Sequence, residues 1–197
     1  APDRYDDSLP QEEAVSAALV ENIWNCETAP IPPCTLSTLI PVGGSQIPIP
    51  AKSKLQKALT FDMIYAGYLS IAAKTAGELR VTAFCRELEE KGSAVHMTFL
   101  GDGHYLGLEL RSVGCIYIEA ENHGDRDAEI SVRLIGSHYP VSTEAHTSTA
   151  DDDLDLVLKT CAHTLRYCRQ SIHLDSPKHC EPLACTGDYY IETLMTA

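Results

Sequence analysis

Between about residue 55 and residue 139, apolar and polar residues alternate, and this pattern constrains the fold more than any other feature. Apolar side chains take every second position in the runs 69–73, 79–85, 106–110, 116–120 and 130–134. A period of two is typical of strands with one buried face. Turn-forming residues separate the runs at 65–67, 75–77, 91–93, 101–103 and 123–125. The pattern predicts an antiparallel β-sandwich of about seven to nine strands and excludes a βαβ fold.

Helices are expected on either side of this region. Ser8 and Gln11 form a capping box ahead of the apolar stripe Val15, Leu19 and Ile23, which predicts an N-terminal helix. Prolines dominate residues 28–50 and predict an extended arm with short edge strands near 38–40 and 46–49.

After a polar loop at 140–153, an apolar stripe predicts a Cys-rich helix to residue 168, and residues 189–192 are predicted to form a final strand. The expected fold is therefore α+β, mainly β, in a single domain over 1–197. It comprises the helix and Pro-rich arm (1–54), the β-sandwich core (55–139) and a loop, helix and disulfide-rich segment (140–197).

The charge balance excludes several partners. The chain has 197 residues with 15 Lys+Arg against 28 Asp+Glu, a net charge of −13. Nucleic-acid binding needs clustered basic residues, so we expect no nucleic-acid partner.

No stretch approaches the ~18–20 apolar residues of a membrane helix, so we expect no membrane span in this chain. The sequence starts at Ala1 without Met, as a mature secreted chain or an excised fragment would.

Cysteines are numerous for a cytosolic domain and even in number, which favours a disulfide framework in a secreted, extracellular or lumenal protein. Cys26 with Cys34 and Cys180 with Cys185 bracket short segments, and Cys85 and Cys115 could join neighbouring strands or opposing sheets. The sequence does not fix the connectivity of the eight residues, which are Cys26, Cys34, Cys85, Cys115, Cys161, Cys168, Cys180 and Cys185. A zinc site in the last third, using His163, His173 or His179 with cysteines, and plain buried thiols remain alternatives.

Residues 119–127 concentrate hard oxygen ligands. Glu121, Asp125 and Asp127, close to Asn122, could form a calcium site. The spacing differs from an EF-hand, and an acidic hairpin tip explains the same residues without an ion. No cofactor is required, and calcium or zinc is the only candidate.

Motifs for catalysis are missing from the sequence. Gly-x-Ser-x-Gly does not occur, no phosphate loop is present, and nothing marks one cysteine as a nucleophile. We therefore assign no catalytic residue and expect no enzyme. A hydrolase with a Cys/His site assembled in the fold is the alternative. No motif is specific enough to indicate a family.

The function that follows is a secreted or ectodomain binding module that recognises a protein or a glycan, such as a viral or parasite surface protein. Its contact loops would be 101–104 and 121–128. The candidate binding residues are Asp102, His104, Tyr105, Asn122, His123 and Asp125. Exposed tyrosines could add a recognition patch, although most are expected to cap sheet edges or fill the margins of the core; the candidates are Tyr65, Tyr68, Tyr105, Tyr117, Tyr139, Tyr189 and Tyr190. The alternative is an intracellular interaction or assembly domain with reduced cysteines or structural zinc. The oligomeric state is not predicted.

Overall fold

The computed structural model describes residues 4–6, 31–88, 93–140, 149–174 and 186–196. The predicted N-terminal helix lies outside the described residues. The strands are β1 (Arg4–Asp6), β2 (Thr35–Leu39), β3 (Gln46–Ile49), β4 (Lys54–Lys74), β5 (Leu79–Arg86), β6 (Ser93–Phe99), β7 (Gly103–Leu106), β8 (Arg111–Asn122) and β9 (Ala128–His138). The helices are α1 (Asp152–Cys168) and α2 (Thr186–Thr196).

All nine described strands belong to one hydrogen-bonded sheet in the order β1-β6-β5-β8-β4-β9-β2, with β3 also on β9 and β7 also on β4. Every pair is antiparallel except β1 with β6, which run parallel. The sheet curls into a half-barrel. The mainly β, antiparallel prediction is confirmed at this level.

The curl originates in β4, which is 21 residues long. Its first part pairs with β8, with a register shift between Thr60 and Tyr65, and from Gly67 onward it pairs with β9. At the changeover, a Cβ on Gly67 would lie 2.6 Å from the Ile135 carbonyl oxygen. Only glycine lets the two strands approach this closely. Residues 65–67, predicted as a turn, therefore lie within a continuous strand.

Buried positions follow the predicted alternation on four strands. The inward residues are fully or nearly fully buried; they are Leu69, Ile71, Ala73, Leu79, Val81, Ala83, Cys85, Ile116, Ile118, Ala120, Ile130, Val132 and Leu134. The run 106–110 does not follow it. Leu106 and Leu108 are 49% and 91% exposed, because β7 ends at Leu106 and the chain leaves the sheet.

Helix α1 begins at Asp152, directly after its N-cap residue Asp151. The Asp151 side chain accepts hydrogen bonds from the backbone N–H groups of Asp153 and Leu154. Only the last turn packs closely, with Tyr167 and Cys168 buried, whereas Leu156 and its neighbours are exposed.

Residues 189–192 lie in helix α2, so the prediction of a final strand there is wrong. The aromatic run that favoured a strand, Tyr189-Tyr190-Ile191, is also compatible with a helix, since propensity is a weak guide over so short a stretch.

Aromatic and histidine rings attach α1 to β4 and β9. The Tyr167 ring lies 5.2 Å from that of Tyr65 and 5.5 Å from that of His138. His138 donates from Nδ1 to the Tyr139 carbonyl and accepts at Nε2 from Arg166. His163 donates to the Ile64 carbonyl oxygen at 2.6 Å. His163 therefore takes part in the packing of α1 on the sheet.

Cys34, Cys85, Cys115 and Cys161 are free thiols in this structure, and Cys168 is buried. Cys85 lies opposite Ile116, and Cys115 lies opposite Arg86, so the two thiols point to opposite faces of the sheet and no bond joins them. Burial raises the pKa of Cys85 to about 12. Cys26, Cys180 and Cys185 lie outside the described residues, and the disulfide framework stays a prediction.

Candidate functional site

Four turns gather at one end of the sheet: residues 50–53, 75–78, 100–103 and 123–127. We call them the rim. The His123 N–H donates to the Glu78 carbonyl, the Thr75 N–H donates to an Asp102 carboxylate oxygen, and the Lys52 N–H donates to the Gly124 carbonyl. Both loops predicted as contact surfaces, 101–104 and 121–128, therefore lie at the same end of the fold.

Asn122 holds the rim together. It is 2% exposed, and its Nδ2 group lies within 3.2 Å of the carbonyl oxygens of Ile49, Pro50 and Arg126. Its Oδ1 accepts from the Gly124 N–H. Both its amide nitrogen and its amide oxygen are therefore engaged with the protein backbone. Asn122, predicted to bind a ligand, is a structural residue in this fold.

Three other predicted binding residues are also engaged. Asp102 caps the turn at Thr75, and His104 shares a hydrogen bond of 2.9 Å with the Ser70 hydroxyl. Tyr105 is only 8% exposed and belongs to the core. Asp102, His104, His123 and Asp125 are exposed, so four of the six candidates are accessible to a ligand.

Each carboxylate predicted to bind calcium has a separate partner. Glu121 pairs with Lys54 and Asp125 with Lys52, both at 2.6 Å, and Asp127 accepts from the Ala51 N–H. The lysine hydrogen bonds lower the pKa of Glu121 and of Asp125. Within the described ranges, no three metal-ligating side chains come together. The calcium and zinc sites stay predictions.

A shallow cavity of about 280 Å³ lies in the rim, lined by Lys52, Ser53, Lys54, Glu121, Asn122 and His123. Lys52 adopts a left-handed backbone with φ of +50°, which is uncommon outside glycine and asparagine. The charges of Lys52 and Lys54 are balanced by those of Asp125 and Glu121, so the cavity offers little net charge to a ligand.

A second surface lies on the outward side of β4, β8, β5 and β6, where the alternation exposes side chains. Cross-strand pairing arranges them in three rows: Gln56, Glu119, Thr82 and His96; Ala58, Tyr117, Phe84 and Ala94; and Thr60, Cys115 and Arg86. We call these three rows the outward face. The first row is polar, the second carries two aromatic rings, and the third carries a guanidinium group.

The centre of the outward face is a cluster of two aromatic rings and one arginine. The rings of Phe84 and Tyr117 are 6.1 Å apart and tilted by 52°. The Arg86 guanidinium lies 5.7 Å from the Phe84 ring centroid and 5.1 Å from that of Tyr117, within cation–π range. All three side chains are partly exposed. Aromatic residues and arginine are enriched in the hot spots of protein–protein interfaces, so the cluster has the composition of a contact surface.

Hydrogen bonds order the polar row. Gln56 donates to Glu119 at 3.1 Å, and Thr82 and His96 share a bond of 3.1 Å. Sequence reasoning named Tyr117 only as one of seven tyrosines and missed Phe84 and Arg86. Phe84 and Arg86 alternate with the buried residues of β5, and this alternation could have predicted that they point outward. Which side chains of β8 lie beside them depends on the register between β5 and β8.

Among the described residues, neither helix has the length and apolar character that crossing a membrane requires. No protein family and no curated protein matches the chain.

The solved structures that resemble the chain include two rhamnosidases. One is a GH78 family rhamnosidase of Bacillus sp. GL1, with a TM-score of 0.65 and 15% identity over 84% of this chain and 17% of that chain. The other is a rhamnosidase from Klebsiella oxytoca with rhamnose bound, with a TM-score of 0.60 and 12% identity over 75% of this chain and 38% of that one. At these identities the likeness establishes the fold alone. The chain spans well under half of either enzyme.

Proposed function

We propose that this chain is a glycan-binding β-domain of the kind built into glycoside hydrolases, and that the outward face is its contact surface. The observation that carries the proposal is the cluster of Phe84, Tyr117 and Arg86 beside an ordered polar row. The proposal also includes two points about the protein as a whole: the curled sheet forms a β-sandwich, and the chain is secreted.

Sugar chemistry matches this arrangement. A pyranose ring presents C–H groups on its faces and hydroxyl groups around its edge. The exposed parts of the two rings can contact the C–H groups, while Gln56, Glu119 and His96 offer hydrogen-bond donors and acceptors to hydroxyls. Successive outward residues of a strand are separated by about 6.6 Å, so the three rows span roughly 13 Å, the length of two or three sugar units.

The fold supports a glycan rather than a protein partner. Two of the similar structures are rhamnosidases, and one of these has rhamnose bound. Rhamnose and rhamnose-containing oligosaccharides are therefore the first ligands to test. The rim is the weaker candidate because most of its polar groups already hold turns in place.

The experiment is a titration of the folded chain with these sugars, followed by NMR chemical shifts and calorimetry. We expect shifts at the outward face, and a loss of affinity of roughly tenfold in Phe84→Ala and in Tyr117→Ala. Tyr190→Ala is the matched control, since Tyr190 is 68% exposed on α2. Shifts confined to the rim, or equal losses in all three variants, would contradict the proposal. Binding of proteins but of no glycan would point to a protein partner.

A second candidate is a part in rhamnoside hydrolysis itself, favoured by the shared fold of the two rhamnosidases. Release of p-nitrophenol from p-nitrophenyl α-L-rhamnoside by the chain would support it. Sugar binding without any release would leave the binding function and remove this candidate for the chain by itself.

A further inference from the structure

We propose that the Arg86 end of the outward face holds the carboxylate of an acidic sugar, so that the glycan recognised is a uronic-acid-containing oligosaccharide. This inference rests on the proposed function and specifies its ligand class. The third row, rather than the aromatic row, is the part of the face that selects for charge.

Arg86 is held in place with unused hydrogen-bonding capacity. Its guanidinium packs against both aromatic rings, which restricts the side chain before any ligand arrives. Its Nε atom is buried and has no hydrogen-bond partner among the described residues. The side chain as a whole is partly exposed, so the terminal N–H groups of the guanidinium, rather than the buried Nε, can donate to a ligand oxygen.

A carboxylate fits this position better than a hydroxyl. The guanidinium fork can donate two parallel hydrogen bonds to the two oxygens of a carboxylate, and these charge-assisted bonds are roughly twice as strong as neutral ones. The neighbours in the third row, Thr60 and Cys115, carry no charge that would oppose an anion.

The outward face also determines the direction in which the oligosaccharide binds. Glu119 stands in the polar row, on β8, four residues from Cys115 and therefore about 13 Å from the Arg86 row. Its carboxylate accepts from Gln56 and would repel a second acidic sugar. The acidic unit therefore lies at Arg86, the next unit contacts Phe84 and Tyr117, and a neutral unit contacts the polar row.

The test compares one disaccharide, a uronic acid linked to rhamnose, with its methyl ester. Esterification removes the charge and keeps the sugar rings. For the unmodified chain, we expect the acid to bind about tenfold more tightly than the ester, and this preference to shrink as salt is raised. Arg86→Gln should bind both ligands equally, and Arg86→Lys should keep part of the preference.

Lys159→Gln is the matched control, because it removes a positive charge from the exposed surface of helix α1, outside the outward face, and it should keep the preference for the acid. Thermal melting of each variant separates loss of folding from loss of selectivity. Equal binding of acid and ester to the unmodified chain, with Phe84→Ala still weakening both, would overturn this inference and leave the proposed function standing. Failure of both ligands and of neutral rhamno-oligosaccharides to bind would overturn both.

Discussion

Replacing Asn122 by alanine should destabilise the protein more than any other polar substitution at the rim. The side chain is buried and joins three segments of the chain: Nδ2 contacts the carbonyls of Ile49, Pro50 and Arg126, and Oδ1 accepts from the Gly124 N–H. Alanine leaves these four backbone groups without their partner.

The size of the effect follows from which groups water can reach. A typical hydrogen bond contributes about 1 kcal/mol net, whereas a buried group left unpaired costs about 1–3 kcal/mol. Arg126 is exposed, so water can rehydrate its carbonyl, while Ile49 is fully buried. The loss in unfolding free energy should be about 3 kcal/mol, which for a chain of this size lowers the Tm by roughly 6–12 °C.

Urea unfolding and thermal melting measure this loss, and hydrogen exchange at residues 122–127 shows whether the turn opens locally. Gln56→Ala is the control, since its amide makes an exposed hydrogen bond to Glu119 and should cost under about 0.5 kcal/mol. Asn122→Asp should be at least as harmful as alanine, because a carboxylate oxygen would face backbone carbonyls. A loss below about 1 kcal/mol for Asn122→Ala would refute the assignment of Asn122 as the residue that holds the rim.

Further predictions concern the strand changeover and the thiols. Gly67→Ala should lower the free energy of unfolding by several kcal/mol in urea, because its Cβ would meet the Ile135 carbonyl. Gly101→Ala is the control and should cost little, since a Cβ there meets nothing within 4 Å. Equal effects of the two substitutions would contradict the close approach of the strands at Gly67. Cys161 should react rapidly with a thiol reagent in the native state and Cys85 only after unfolding, and fast labelling of Cys85 would count against its burial. Burial raises the pKa of Cys85 to about 12, so this thiol loses its proton at a lower pH in the unfolded chain than in the folded protein. The free energy of unfolding should therefore fall as pH rises above about 9, and it should fall less steeply in the Cys85→Ala variant.

The alternation in the runs 79–85, 116–120 and 130–134 was enough to predict that their apolar residues are buried, but it did not predict the buried polar residues Asn122 and His138. This worked because a strand has one inward face and a slip of one residue would expose every apolar side chain. The same reasoning failed at Leu106 and Leu108, where the run lies partly beyond the end of β7. It also failed at residues 65–67, because a glycine that marks a turn and a glycine that allows two strands to approach look alike in a sequence.

The candidate sites show a similar division. That the turns near 102 and 123 lie at one end was predictable from their places between strands. The internal hydrogen bonds of Asn122 and Asp102 were not predictable, because their partners come from residues up to 73 positions away in the chain. The cluster of Phe84, Arg86 and Tyr117 depends on the register of β5 against β8, which sequence alone does not give.

The outward face and the rim differ in what binding would require of them. On the outward face, Phe84, Arg86 and Tyr117 stand on two central strands whose inward neighbours, such as Ala83 and Ile118, are 0% exposed, so the backbone beneath the cluster is fixed by the core. A ligand there orders few side chains and pays little conformational entropy. At the rim, a ligand must first displace hydrogen bonds or ion pairs that already hold the turns. Affinity should therefore be gained more easily on the face, and this is why its aromatic and arginine residues, rather than the loops, are the positions to change first.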